Sequence, residues 1–179
     1  MNAKGFRRLL QNERGAAVIE MALVAPVLAL TVIGIVDMSN AYSRKLALEQ
    51  GAQRAIEKIM NTTEDTTVES TLATEAVCQV NGVNPNGTCK TSPISAGDVT
   101  VTWRLDCTVG STTTSQSSTD SVAYDGYILA CTNAGGTKVG YVQVRVADKY
   151  APLFPVHFAA FNTSDSTYHL SATAGTRTL

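Results

Sequence analysis

From Ala16 to Val36 the chain runs 21 residues with a single charge, Glu20. At about 1.5 Å rise per residue a helix of that length reaches roughly 30 Å, the thickness of a bilayer's hydrocarbon core. No polar face repeats at helical spacing inside it, so a core helix of a soluble domain does not account for the pattern. The stretch predicts a membrane span at 16–36. The competing reading is a removable secretory signal, with Ser39 and Ala41 as a small-x-small cleavage site. Such a signal has an apolar region of only about 7–15 residues and no use for an acid.

Beyond the span, Ile35, Met38, Tyr42, Leu46, Ala52, Ile56 and Ile59 recur at spacings of three, four or a near multiple. This predicts that the helix continues as a stalk over 37–61 and ends near Asn61-Thr62-Thr63. Thr66 and Glu69, in capping-box spacing, open a second helix whose apolar stripe is Val68, Leu72 and Ala76, leading to Cys78. From Val99 the period drops to two. Val99, Val101, Trp103 and Leu105 alternate with Thr100, Thr102 and Arg104, as in a half-buried strand. Ser121 to Cys131 reads as a hairpin around Asp125-Gly126. Val142, Val144 and Val146 form a strand after the Gly135-Gly136 turn, and Tyr168, Leu170, Ala172 and Ala174 mark a last one. The polar run Gly110 to Ser121 has nothing to bury and reads as an exposed loop, with surface or glycan contact as its functional reading. The expected fold class is α+β, a long N-terminal transmembrane and stalk helix packed on a small antiparallel sheet of four or five strands.

Charge refines this picture. Of fourteen Lys and Arg and fifteen Asp and Glu, four basic residues (Lys4, Arg7, Arg8, Arg14) and one acid (Glu13) precede Gly15. The positive-inside bias then keeps the N-terminus in the cytoplasm and sends everything after Asp37 outward. The remaining ten basic and fourteen acidic residues form no stripe for phosphates, which excludes nucleic acid as a partner. The expected organisation is a cytoplasmic leader over 1–15, the span over 16–36, the stalk over 37–61 and an extracytoplasmic α+β domain over 62–179.

Cys78, Cys89, Cys107 and Cys131 all follow the span, in a compartment where disulfides persist. Three pairings exist. Cys78 with Cys89 would close the loop "NGVNPNG", and Cys107 with Cys131 would tie the ends of the polar run; these are the favoured pairs. Zinc is the rival reading, but no CxxC pair is present and only His157 and His169 could assist, so no metal is assigned. No nucleophile elbow, His-Glu-x-x-His or phosphate loop appears, and no catalytic residue or cofactor is expected. His157, within "FPVHFAAF", reads as a packed residue.

Glu20 is the anomaly. A carboxylate near the edge of a span costs roughly 2–3 kcal/mol to insert and calls for a cationic partner. Cutting after Gly15 would create one, the α-amino group of Ala16, four residues away on the same helix face. Between staggered neighbouring chains the same pairing would set register. Pro26 lacks an N–H for the carbonyl of Ala22 and should bend or loosen the span. Gly34 reads as a close-packing site.

A basic leader, Gly15, the small Ala16, Glu20 and an apolar run together resemble class III prepilin signals, which a membrane aspartic peptidase cuts on the cytoplasmic side. More narrowly, "RGAAVIEMALVAPVLALTVIGIVDMSNAYSRKLALEQGAQRA" resembles the TadE-like proteins, minor pilins or pseudopilins of the Tad (Flp) type IV pilus. The matching positions are Gly15, Glu20, Pro26, Asp37 and the helix from Tyr42 to Ala55. Met21 stands where the family usually has an aromatic residue, in the same apolar slot. The tail, "VQVRVADKYAPLFPV" and then "YHLSATAGTRTL" with Arg177, is similar to the family's closing strand, Tyr-x-Pro bend and final strand. The resemblance implies an inner-membrane, single-pass protein with a periplasmic domain, extracellular once assembled into a pilus. It also implies a prepilin peptidase, other pilins or pseudopilins, the inner-membrane assembly platform and the lipid bilayer as partners, with initiation or the tip as the place of action. The alternatives are a permanently anchored extracytoplasmic binding domain and a secretion-system pseudopilin outside a Tad pilus.

Overall fold

A computed structural model describes residues 13–61, 66–154 and 161–178; of 13–16 and 66–70 it describes the backbone alone. Most of the leader, Thr62 and Thr63 and the His157 segment therefore lie outside the described residues, as do the capping side chains of Thr66 and Glu69.

The first helix, α1 (Glu13–Asn61), is one rod of 49 residues that runs through Pro26 without a break. It is followed by α2 (Thr66–Asn81), a short 3-10 turn (Ala96–Asp98), β1 (Val99–Val109), β2 (Thr112–Ser118), α3 (Ser121–Asn133), β3 (Thr137–Tyr150), β4 (Phe161–Asn162) and β5 (Thr167–Arg177). The five strands form one sheet in the order β2-β1-β3-β5-β4, every neighbouring pair antiparallel. The architecture is α+β, a long apolar helix followed by a small antiparallel sheet.

The C-terminal half of α1 lies on β3 and β5, α2 packs beside α1, and α3 covers the β1 end of the sheet. Alternation determines which sheet face meets them. Trp103 and Leu105 of β1, Val142, Val144 and Val146 of β3 and Ala172 of β5 are buried, and the residues between them point to the other face. Trp103 pairs with Val142 and Val146 with Ala172, so the register places apolar side chains beside one another. Leu48, Ala52, Ala55 and Ile56 of α1 and Leu72, Ala76 and Val77 of α2 complete this core.

The buried stripe of α1 differs from the expected one. Ile35, Met38, Tyr42 and Leu46 are all exposed, and only Ala52 and Ile56 of that set are buried. The face turned to the sheet is instead Asp37, Asn40, Arg44, Leu48, Ala52 and Ala55, a regular i, i+3, i+4 row whose first three members are polar. A search for apolar periodicity passes over such a row.

Two further expectations are corrected. Ser121–Asn133 is a helix, not a hairpin. The Asp120 carboxylate caps it, accepting the Val122 N–H at 3.0 Å, and Tyr124 and Cys131, two turns apart, are its buried contacts. This cap and buried face outweigh the turn preference of Asp125-Gly126. The polar run after Gly110 is not a loop but the edge strand β2, paired with β1 from Val109↔Thr112 to Trp103↔Ser118. Gly110 takes a φ of +62° in the tight connection. Thr108 and Thr113 join hydroxyls across the pair at 2.8 Å. Threonine's fit to a pleated strand and the backbone ladder of β1 order a segment with no apolar side chain to bury.

Cys78 is bonded to Cys89 and Cys107 to Cys131. The first bridge braces the loop after α2, where the buried Asn81 amide donates to the carbonyls of Lys90 and Ile94 and accepts from the Ile94 N–H. The second ties α3 to β1.

Gly51 marks the tightest helix contact. A Cβ there would lie 2.5 Å from Val80 Cγ2 and 3.0 Å from the Ala76 carbonyl oxygen. We expect Gly51→Val to lower domain stability by roughly 2–3 kcal/mol through overpacking, read as a lower denaturant midpoint for the full chain in detergent. A midpoint equal to wild type would contradict the close α1–α2 contact.

Candidate functional site: the exposed helix and its latch

Between Val18 and Val36 the described side chains of α1 touch almost nothing else in the chain; Leu23 is 70% exposed and Val36 still 41%. By length and composition this helix can cross a membrane. It fits a single-pass anchor. Gly15 and Ala16 lie within its first turns. Glu20 is exposed one turn further on, and among the described residues no side chain pairs with it. Thr31 turns its hydroxyl back onto the Leu28 carbonyl at 2.8 Å, which satisfies the one polar side chain between Glu20 and Asp37 without water.

The helix changes character at Asp37. It is 3% exposed. Its Oδ1 accepts the Leu153 N–H at 2.8 Å and its Oδ2 the Phe154 N–H at 3.1 Å. The Tyr150 hydroxyl donates to Oδ1 at 3.4 Å. Two adjacent main-chain donors on one carboxylate make a charge-assisted clamp that fixes the chain just after β3 against the helix. Tyr150 also hydrogen-bonds Asn40, and burial, followed by the Asp37 charge, raises its phenol pKa.

One turn beyond Asn40, Arg44 Nε stands 3.7 Å from the Asp148 carboxylate of β3. Burial raises the Asp148 pKa, with the Arg44 charge opposing and the Asp98 charge adding to the rise. Polar groups thus join helix to sheet at the end near the apolar segment, and apolar contacts do so further along.

Residues 15–56 match the family model of TadE-like proteins. No curated protein and no solved structure matches the chain. The TadE-like segment contains Gly15, Glu20, Pro26 and Asp37 and stops within α1, so the sheet lies beyond it. Gly15, Ala16, Glu20 and Pro26 are strung along the free part of the rod and converge on no pocket. Asp37, Asn40, Arg44, Asp148 and Tyr150 do converge. A sequence signal for part of this cluster exists, namely three polar residues at spacings of three and four directly after an apolar span.

The sheet's outer face carries a shallow polar concavity lined by Thr102, Arg104, Asp106, Ser117, Tyr141 and Gln143. Arg104 donates to both Asp106 oxygens, at 2.9 and 3.0 Å, and lies over the Tyr141 ring. The hydrogen bonds from Ser115 and then Arg104 lower the Asp106 pKa. At the β4–β5 turn Asp165 accepts from His169 Nε2 at 2.6 Å and pairs with Lys149 at 3.1 Å. The His169 hydrogen bond, ahead of all else, holds the Asp165 carboxyl well below the usual carboxylate range. Both groups consist of mutually satisfied partners.

Asp37→Ala leaves two main-chain N–H groups without their acceptor, at roughly 1–3 kcal/mol each. We expect the Leu153 and Phe154 amides to exchange with deuterium about ten- to a hundredfold faster in this variant, with Asp37→Asn intermediate. Unchanged exchange would remove Asp37 from the latch.

For Asp148 the folded pKa lies above the unfolded one, so the fold favours the neutral acid. Stability tied to this group is fully present below the ordinary carboxylate pKa and is lost as pH rises through the raised value. Asp148→Asn should therefore gain on wild type as the pH rises from below the ordinary carboxylate pKa through the raised value, measured as the difference in denaturant midpoint. A difference constant with pH would show that Arg44 cancels the burial.

Proposed function

We propose that the protein is a minor pilin or pseudopilin acting in the initiation or at the tip of a Tad-type pilus. The TadE-like match associates it with that apparatus. The observation that carries the finer reading is the rod itself. About half of a 49-residue helix is apolar and uncovered by its own chain, with one exposed carboxylate near its start. A permanently anchored domain needs an apolar helix but gains nothing from the acid.

In this reading a prepilin peptidase removes Met1 to Gly15 on the cytoplasmic side. The new α-amino group of Ala16 meets Glu20, within the chain or on a neighbour, where low dielectric makes an unpaired charge of either sign costly. The pairing with a neighbour sets register between subunits, because only one stagger brings amine to carboxylate. The helix anchors the subunit in the inner membrane with its domain in the periplasm, then packs among other pilins as the assembly platform draws it into the filament. Pro26 loosens one backbone hydrogen bond on the way. The role is structural, and no reaction is assigned to the outer domain.

N-terminal sequencing of the protein co-expressed with its peptidase should begin at Ala16. A start at Met1 or near Tyr42 would refute processing at Gly15. Glu20→Ala should leave the protein in the membrane while pilus assembly falls at least tenfold, counted by electron microscopy. Normal assembly by that variant would favour the anchored binding domain instead.

A further inference from the structure

The latch does more than close the fold, because of where it sits. Asp37 directly follows Val36, the last residue of the apolar span, and its carboxylate holds the main chain of Leu153 and Phe154 at 2.8 and 3.1 Å. These two side chains are consequently held level with the end of the span. Leu153 is 65% and Phe154 37% exposed, and neither belongs to the domain core.

Around them lies an unusual share of the chain's rings. Tyr150 reaches Asp37, and Tyr168 is registered opposite Tyr150. Phe161 is registered opposite Tyr168 with ring centroids 5.3 Å apart. Tyr42, exposed, follows Asp37 by little more than one helical turn. Phe154, Tyr150, Phe161 and Tyr168 put four of the ten Tyr and Phe residues at the end of the sheet nearest the span, and Tyr42 adds a fifth on an exposed face of the helix. Aromatic rings concentrate where a protein crosses from hydrocarbon to headgroups, because they offer an apolar body and, in Tyr, a polar tip.

We propose that this end of the domain is a second membrane contact. Leu153 and Phe154, presented by Asp37, enter the interfacial layer of the bilayer, and the Tyr42, Tyr150, Phe161 and Tyr168 rings form a collar at headgroup level. The inference rests on the reading of α1 as a membrane span. Lipid is the occupant the geometry favours. The patch is continuous with the lipid-facing helix, and the two exposed apolar side chains it offers among the described residues fall far short of the roughly 800 Å² per partner of a stable protein interface. The contact orients the domain. One helix alone leaves it free to swing, whereas helix and loop together hold the β3–β5 end against the membrane and the β1–β2 hairpin away from it.

The test uses the full chain reconstituted in phosphatidylcholine–phosphatidylglycerol vesicles whose acyl chains are brominated either near the carbonyl or near the chain end. Trp103, in the core at 8% exposure, is the internal reference. Leu153→Trp, at an exposed position that tolerates the ring, should add emission that loses most of its intensity to bromine near the carbonyl and little to bromine at the chain end. Val27→Trp, in the middle of the apolar helix, should be quenched most by bromine at the chain end. If Val27→Trp is quenched and Leu153→Trp behaves like Trp103 alone, the span stands and the second contact falls. If neither is quenched, the membrane reading fails and takes this contact with it. Shielding of Leu153→Trp from aqueous iodide that follows the protein-to-lipid ratio instead of the presence of lipid would assign the patch to a second copy and overturn the proposal.

Discussion

Two main-chain N–H groups and a phenol converge on one buried carboxylate at the point where the long helix stops being apolar on every side. Asp37 is 3% exposed and next to a segment long and apolar enough to cross a membrane. A buried carboxylate without donors would be prohibitively costly. The chain supplies those donors from more than a hundred residues away, and in doing so decides where the sheet must lie. With the Tyr150–Phe154 segment pinned to the helix, β3 is aligned along α1 and β5 beside it. The row Asp37, Asn40, Arg44, Leu48, Ala52, Ala55 then becomes the contact line.

The order of polarity along that line suits a membrane protein. Near the span, apolar contacts would be ambiguous, because lipid and protein core are equally acceptable to a leucine and the domain could slide along the helix. Hydrogen bonds and the Arg44–Asp148 pair are directional and single out one register. Further out, where water surrounds the helix, hydrophobic burial discriminates strongly and Leu48, Ala52, Ala55 and Ile56 take over. Gly51 then lets α2 approach closely on another side of the rod.

The free part of the rod has the opposite logic. The domain leaves most of Val18 to Val36 uncovered, and Glu20 is exposed like its apolar neighbours. The same surface can therefore face lipid first and other subunits later, since both present apolar contacts. Glu20 is the group that would tell these environments apart, because it is costly in one and paired in the other. The domain is held by a network fixed within the chain, whereas the helix is left to be completed by whatever surrounds it.

Much of this was legible without coordinates. Twenty-one residues with one charge make a helix able to cross a bilayer, where hydrocarbon has no water to satisfy a backbone, and a period of two marks Val99–Leu105 and Val142–Val146 because a half-buried strand alternates. Those patterns are local. What stayed hidden depends on distant partners. Residues 121–133 are a helix because of an Asp120 cap and a buried Tyr124–Cys131 face. Residues 112–118 are a strand because β1 offers them a ladder. The sheet-facing side of the helix begins as a polar row whose partners are Leu153, Phe154 and Asp148. Sequence alone determined that the protein has a lipid-compatible rod and an α+β domain. Only the tertiary structure decided how the two are joined, because the value of a buried charge depends on which donors the fold brings to it.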